Sequence, residues 1–194
     1  MITTLSLAFL FSRTASGRLE PIGDFAASAD AKKVVFASGS TKFVVAQLKY
    51  RDLESGESFE VSTGVDGKAA DRSCDNVAIS PSGDAVAFTS TATNLISNGT
   101  KQDRVYVWDR ATKKLRVVSD GVAGEVVNAR KHYMSVSDGG RTVMFITGAL
   151  NGIPAMTWVA EAGKKVATLS SRLGLEPPKK DDLRASICAD GKSF

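Results

Sequence analysis

The chain has 194 residues, of which 43% are apolar and 24% are charged, a composition typical of a soluble globular protein with one or two domains. The net charge of +4 is too small for a nucleic-acid-binding surface, so no nucleic-acid partner is expected. No apolar run reaches the length of a membrane span.

The first 24 residues stand apart from the rest. An apolar stretch starts at Leu5 and ends before Arg13, with neither a basic start nor an A-x-A cleavage site. Residues 1–24 are therefore either a signal segment or the remnant of a preceding structural repeat.

Three stretches downstream share one template: Ser28–Phe36, Ser80–Phe88 and Ser137–Phe145. A fourth copy starts at Cys188, and successive copies begin 52, 57 and 51 residues apart. In each copy a polar turn separates β-favouring residues, which predicts a strand, a tight turn and a second strand.

The second half of each copy predicts another hairpin. Serines (or Cys188) mark a constant frame, since Ser62 to Ser80, Ser119 to Ser137 and Ser170 to Cys188 each span 18 residues. The predicted strands are 48–52 and 58–62, 104–109 and 115–119, and 156–159 and 166–170.

Four short strands per repeat of about 50 residues are typical of β-propeller blades. We predict an all-β protein of four-stranded antiparallel blades, with the second strand of each blade near the central axis. Phe36, Phe88 and Phe145 are expected to be buried at matching positions. The predicted division is blade 1 at 25–75, blade 2 at 76–132, blade 3 at 133–184 and the start of a truncated blade 4 at 185–194.

Three blades cannot close a ring, because about four are the minimum. The sequence therefore indicates an incomplete propeller or a fragment of a larger one, with self-association through its open edges expected. The alternative is that residues 3–12 and 185–194 combine into a fourth blade.

The stretch Ser80–Phe88, followed by a polar loop and Val105-Tyr-Val-Trp-Asp109, resembles the WD-like repeat of TolB-type β-propellers. The resemblance covers about residues 25–194 and is strongest in the middle copy. It implies a bacterial scaffold, periplasmic or secreted, that binds proteins without catalysis. Where loops of such propellers carry acidic residues this chain has Asn98 and Lys101, which does not favour a calcium site.

Signatures of catalysis are missing from the sequence. It contains no G-x-S-x-G, H-E-x-x-H, Walker or G-x-G-x-x-G motif and one histidine, His132. We therefore expect no catalytic, cofactor-binding or metal-binding residues. The acidic residues Asp30, Asp84, Asp138 and Asp190 are interpreted as turn formers.

Two pairs of residues have a structural interpretation. Trp108 and Trp158 lie in corresponding strands, one residue out of register, where blade packing is expected. Cys74 and Cys188 occupy different positions of the repeat, which favours two small semi-buried thiols over a disulfide.

The candidate binding surface is the loop at residues 90–103, where the middle copy departs from the shared frame. Asn94, Asn98, Lys101, Gln102 and Asp103 supply donors and acceptors. Shortening this loop is expected to leave the fold intact, unless Leu95 and Ile96 are core residues.

Two functions follow. The first is a non-enzymatic scaffold for a protein partner. The alternative is the propeller of a prolyl-peptidase-like hydrolase whose catalytic domain lies outside this chain; sequence continuing beyond Phe194 would separate the two.

Overall fold

A computed structural model describes residues 11–13, 19–39, 45–120, 122, 134–147, 156–174 and 187–191. These residues form thirteen β-strands in three antiparallel sheets and one short α-helix. In every sheet the strands follow one another in chain order, so each is a meander. The all-β prediction, with about three blades, is confirmed.

The first sheet has five strands: β1 (Phe11–Arg13), β2 (Leu19–Ala27), β3 (Lys33–Ser38), β4 (Gln47–Asp52) and β5 (Ser58–Glu60). The second has four: β6 (Cys74–Ile79), β7 (Ala85–Ser90), β8 (Arg104–Asp109) and β9 (Lys114–Val117). The third also has four: β10 (Met134–Val136), β11 (Thr142–Thr147), β12 (Met156–Glu161) and β13 (Ala167–Thr168). The predicted start of the first blade, residue 25, lies within β2.

The serine that opens each repeat forms a hydrogen bond with the first residue of the second strand. Its hydroxyl oxygen accepts the backbone N–H five residues later, from Lys33 to Ser28, from Ala85 to Ser80 and from Thr142 to Ser137, each at 3.0 Å. All three serines are buried. Each therefore provides a partner for a backbone group that would otherwise be buried without one.

The serine at the end of the second hairpin has a similar role in the first two repeats. Ser62 accepts the backbone N–H of Leu48 at 2.9 Å, and Ser119 accepts that of Val105 at 3.0 Å. Each bond ties the chain beyond the outermost strand to the start of the third strand.

The three sheets stack face to face. One core cluster joins the first and second sheets, and a second cluster joins the second and third. In both, the template phenylalanine, Phe88 or Phe145, faces the preceding sheet and is 0% exposed. The second and third blades therefore each bury one face against the blade before.

Phe36 departs from the predicted pattern because it is only half-buried. Its cross-strand neighbour Phe25 is 65% exposed. These two side chains lie on the face of the first sheet that points away from the second, and no described sheet stacks there. Burial at this position thus depends on a neighbouring blade and not on the strand itself.

The second strand was expected near the central axis, and the first strand lies closer still to the neighbouring sheets. The first strands contact one another, β2 with β6 and β6 with β10, and the second strands β3 and β7 also contact β6 and β10. The second strand lies between the first and third and is covered on both faces; every residue of β7 is buried.

Hydrogen bonds also join the turns of neighbouring repeats. The N–H of Ala29 donates to the Pro81 carbonyl at 2.9 Å, and that of Asp138 donates to the Ala189 carbonyl at 2.9 Å. Residues 187–191 therefore dock on the third repeat as the second repeat docks on the first.

The corresponding bond from the second repeat to the third cannot form, because Pro81 has no N–H. Carboxylates replace it. Asp138 accepts the N–H of Ser82 at 2.8 Å, and Asp84 accepts the N–H of Gly139 at 2.9 Å. Two of the predicted turn formers thus also connect neighbouring repeats.

The predicted strand at 166–170 is a strand over two residues and then turns into a helix. Only Ala167–Thr168 pair with β12, and α1 (Leu169–Leu173) follows. Thr168 caps this helix by accepting the N–H of Ser171 at 3.2 Å, and Gly174 ends it at a φ of 66°. Within the described ranges, no helix has the length and apolarity needed to cross a bilayer.

Candidate functional site

The extended loop at residues 90–103, between β7 and β8, begins inside the core. Ala92 is fully buried and Leu95 is 1% exposed, and both belong to the cluster between the first two sheets. Ile96 packs against the same cluster. The condition attached to shortening this loop, that Leu95 and Ile96 are not core residues, is therefore not met, and we expect a shortened loop to cost stability.

A carboxylate holds the loop against the first blade. Asp71 accepts the N–H of Thr93 at 2.7 Å and the hydroxyl of Thr93 at 2.6 Å. These hydrogen bonds hold the pKa of the Asp71 carboxyl below its usual value. The ionised form of Asp71 thus stabilises this conformation of the loop.

Asn94 completes the connection. Its side-chain amide donates to the Ala69 carbonyl at 2.9 Å and accepts the N–H of Asp71 at 3.0 Å, while its own carbonyl accepts the N–H of Val65 at 2.9 Å. Gly64 allows this approach, since a Cβ there would lie 2.6 Å from the Asn94 carbonyl oxygen. Asn94, one of the predicted binding residues, is engaged within the protein.

The tip of the loop faces solvent. Asn98, Lys101 and Gln102 are exposed, and Asn98 adopts a φ of 64°. Gly99 lies against the Thr93 carbonyl, where a Cβ would come within 2.0 Å of the oxygen. The tip is thus held at its base and presents three predicted binding residues outward.

Asp103 ends the loop in a different environment. It is half-buried, and burial, reinforced by the nearby Asp75 carboxylate, raises its pKa to about 6. A carboxyl with this pKa changes charge close to neutral pH.

A groove of about 470 Å³ runs beside the loop, between the first and second blades. Thr63, Gly64 and Val65 form one wall, and Leu95, Ile96 and Ser97 belong to the loop itself. The turn into β9 forms the opposite side with Lys113, Lys114 and Leu115.

Aromatic rings and cations from both blades meet next to this groove. The rings of Tyr50 and Phe59 lie 5.5 and 6.2 Å from the ring of Trp108. The Lys113 ammonium lies 3.2 Å from the Phe59 ring centroid, and the Arg110 guanidinium lies 5.4 Å from that of Tyr50. Burial raises the pKa of Tyr50 to about 12. Such contacts stabilise cations over aromatic faces.

Sequence reasoning missed the groove and this cluster because their residues come from two repeats. The available signal was a pair of aromatic residues, Phe59 and Trp108, that lie close to the turns of the second hairpins of neighbouring repeats. Their separation along the sequence does not show that their rings are in contact.

The tryptophans pack as predicted, with a different register. Trp108 pairs with Val86 and Trp158 with Phe145, so the two indoles lie two template positions apart and on the same face of their sheets. Trp158 donates its ring N–H to Thr147 at 3.1 Å.

Other predicted residues also have structural roles. Asp30 accepts the N–H of Lys32 within its own turn at 3.0 Å. Both cysteines are free, and Cys74 is buried, which raises its pKa to about 12, whereas Cys188 is exposed. His132 lies outside the described residues. Among the described residues, no three His, Cys, Asp or Glu side chains are grouped to hold a metal ion.

Comparison of folds places the three sheets among known propellers. TolB from Acinetobacter baumannii is similar over 89% of this chain and 36% of its own, with 22% identity and a TM-score of 0.54. The β-propeller domain of the Trilobed protease from Pyrococcus furiosus covers 77% of this chain and 42% of its own, with 14% identity and a TM-score of 0.51. A prolyl endopeptidase is similar over 89% of this chain and 25% of its own, with 13% identity and a TM-score of 0.51.

No protein family and no curated protein match this sequence. The chain spans less than half the length of each of these three structures. At this level of identity the likeness shows the fold alone. The chain therefore forms about three consecutive blades of a β-propeller similar in fold to TolB.

Proposed function

We propose that this chain is a non-enzymatic propeller scaffold that binds a protein partner through the extended loop of its second blade. The observation that carries the proposal is the attachment of that loop. Asp71 and Asn94 hold its base through side-chain and backbone hydrogen bonds, while Asn98, Lys101 and Gln102 remain exposed.

A loop held in this way loses little conformational entropy when it binds. Ordering each flexible side chain or loop residue on association otherwise costs free energy that the contact must recover. Loops on a rigid scaffold are also where binding residues concentrate. The exposed tip can therefore make polar contacts with a partner protein.

Site-specific crosslinking tests the proposal. A photoreactive benzoylphenylalanine replaces Lys101 in the full chain, expressed in the cells that naturally produce it. The matched control carries the same group at Lys165, an exposed lysine of the third blade. We expect a protein adduct from position 101 that is absent from position 165. Equal adducts at both positions, or none at 101, would rule out the loop as the binding surface.

The alternative function, the propeller of a hydrolase, is supported by the fold likeness to a prolyl endopeptidase and to the Trilobed protease domain. A fluorophosphonate, which reacts with activated serine hydroxyls, separates the two functions. Labelling of the full natural polypeptide at a serine would favour the hydrolase, and absence of labelling together with a crosslinked partner would favour the scaffold.

A further inference from the structure

The groove between the first two blades presents apolar surface to water. Val65 is 64% exposed on one wall, and Ile96 and Leu115 are half-buried along the floor and opposite side. Apolar side chains that line a concave surface gain free energy when a ligand removes them from water.

The groove is held in shape by backbone contacts. The N–H of Val65 bonds to the Asn94 carbonyl, and Thr63 forms an isolated antiparallel bridge with Ala69. On the other side the backbone N–H of Lys113 donates to the Asp109 carbonyl at 2.8 Å. Both walls are therefore formed before a ligand arrives.

The charge on the groove has one sign. Lys113 and Lys114 are its charged lining residues, and neither belongs to a salt bridge within the described part of the chain. Arg110, nearby in sequence, is instead paired with Asp52 at 3.0 Å and Glu57 at 3.2 Å. Lys114 is exposed and available to a ligand, and Lys113, whose ammonium lies over the Phe59 ring, adds a second positive charge beside it.

The corresponding groove between the second and third blades differs. It is smaller, about 180 Å³, and Asp120 and Glu161 accompany Arg116 and Lys164 in its lining. Lys164 is paired with Glu161 and Arg116 donates to the Gly140 carbonyl, so this groove has no comparable preference for an acidic ligand.

We propose that the groove between the first and second blades binds an acidic peptide segment of a partner protein, with an apolar side chain inserted against Ile96 and carboxylates facing Lys113 and Lys114. This proposal rests on the proposed function and names the chemistry of its partner. The apolar floor supplies affinity, and the two ammonium groups supply selectivity.

Fluorescence anisotropy with synthetic peptides tests it on the full chain. The probe is a fluorescein-labelled octapeptide with a central Phe-Leu pair flanked by glutamates. One control peptide has lysines in place of the glutamates, and a second has serines in place of the Phe-Leu pair. We expect the probe to bind about tenfold more tightly than either control.

Charge reversal then locates the site. Lys114→Glu is expected to weaken binding about three- to tenfold, and the matched Lys165→Glu variant less than about twofold. Both lysines are exposed, so neither variant is expected to disturb folding, which circular dichroism checks. Equal binding of the three peptides, or equal effects of the two variants, would overturn the groove assignment.

The two proposals can fail separately. A partner crosslinked at Lys101 while the acidic peptide does not bind would remove the groove assignment and leave the scaffold function standing. Peptide binding that Lys114→Glu weakens, without a crosslink at Lys101, would support the groove and exclude the loop tip.

Discussion

Replacing Leu95 by alanine tests whether the extended loop is built into the core. The Leu95 side chain is 1% exposed and packs in the cluster that joins the first two blades. A buried leucine truncated to alanine costs about 2–5 kcal/mol, and more where the surroundings cannot collapse into the space.

The loop has little freedom to collapse. Thr93 and Asn94, immediately before Leu95, are hydrogen-bonded to the first blade. We therefore expect Leu95→Ala to lower the free energy of unfolding by about 3–4 kcal/mol, a large fraction of the roughly 5–15 kcal/mol typical of whole domains.

Urea denaturation followed by tryptophan fluorescence measures this loss, because Trp108 belongs to the same cluster. Lys101→Ala, at the exposed tip of the same loop, is the control and should change stability by less than about 0.5 kcal/mol. A loss below about 1 kcal/mol for Leu95→Ala would show that the loop is not anchored, and the argument for a preformed binding surface would fail with it.

Three further predictions concern other parts of the chain. The pKa of Asp103 is about 6 in the folded state, compared with 3.8 for an unperturbed aspartate. Ionisation of Asp103 therefore disfavours the native state, and this penalty grows as pH rises from about 4 to about 6. Asp103→Asn should therefore be more stable than the wild type by about 1–2 kcal/mol at pH 7, after allowance for solvent screening, and no more stable near pH 3.5; a difference independent of pH in parallel urea titrations would contradict this. Ser80→Ala removes the hydroxyl that accepts the buried N–H of Ala85 and should cost about 1–3 kcal/mol by thermal unfolding, whereas its exposed neighbour Ser82→Ala should cost less than about 0.5 kcal/mol. Phe25→Ser should reduce self-association in size-exclusion chromatography with light scattering without lowering the melting temperature, since Phe25 is 65% exposed on the open face of the first sheet; Val65→Ser is the matched control, and equal effects of the two variants would show that this face is not the contact.

The sequence also indicated which of the polar repeat residues are structural. Ser28, Ser80 and Ser137 recur at one template position, and each accepts the N–H five residues later. This bond is local, so a single repeat contains both partners. The sequence did not show that Asp84 and Asp138 bridge neighbouring turns, because those partners are 55 and 56 residues away.

The candidate loop was located by its length alone. In the structure its five candidate binding residues lie in different environments. Asn94 turns inward because acceptors and donors of the first blade, at Ala69 and Asp71, lie against it. Asn98, Lys101 and Gln102 remain at the surface, and Asp103 is half-buried. The sequence does not distinguish an asparagine that bonds within the protein from one that faces solvent. Only the segments that pack against it in the fold decide its role.

Strand order and turn positions were determined by the sequence, because alternating apolar residues and turn formers act over a few residues. The tertiary structure decided which equivalent positions are buried. Phe36 and Phe88 occupy one template position, yet only Phe88 is covered by a preceding sheet. Likewise, the groove exists only where two blades meet. Stacking of repeats is a contact between distant segments, and the pattern within one repeat cannot specify it.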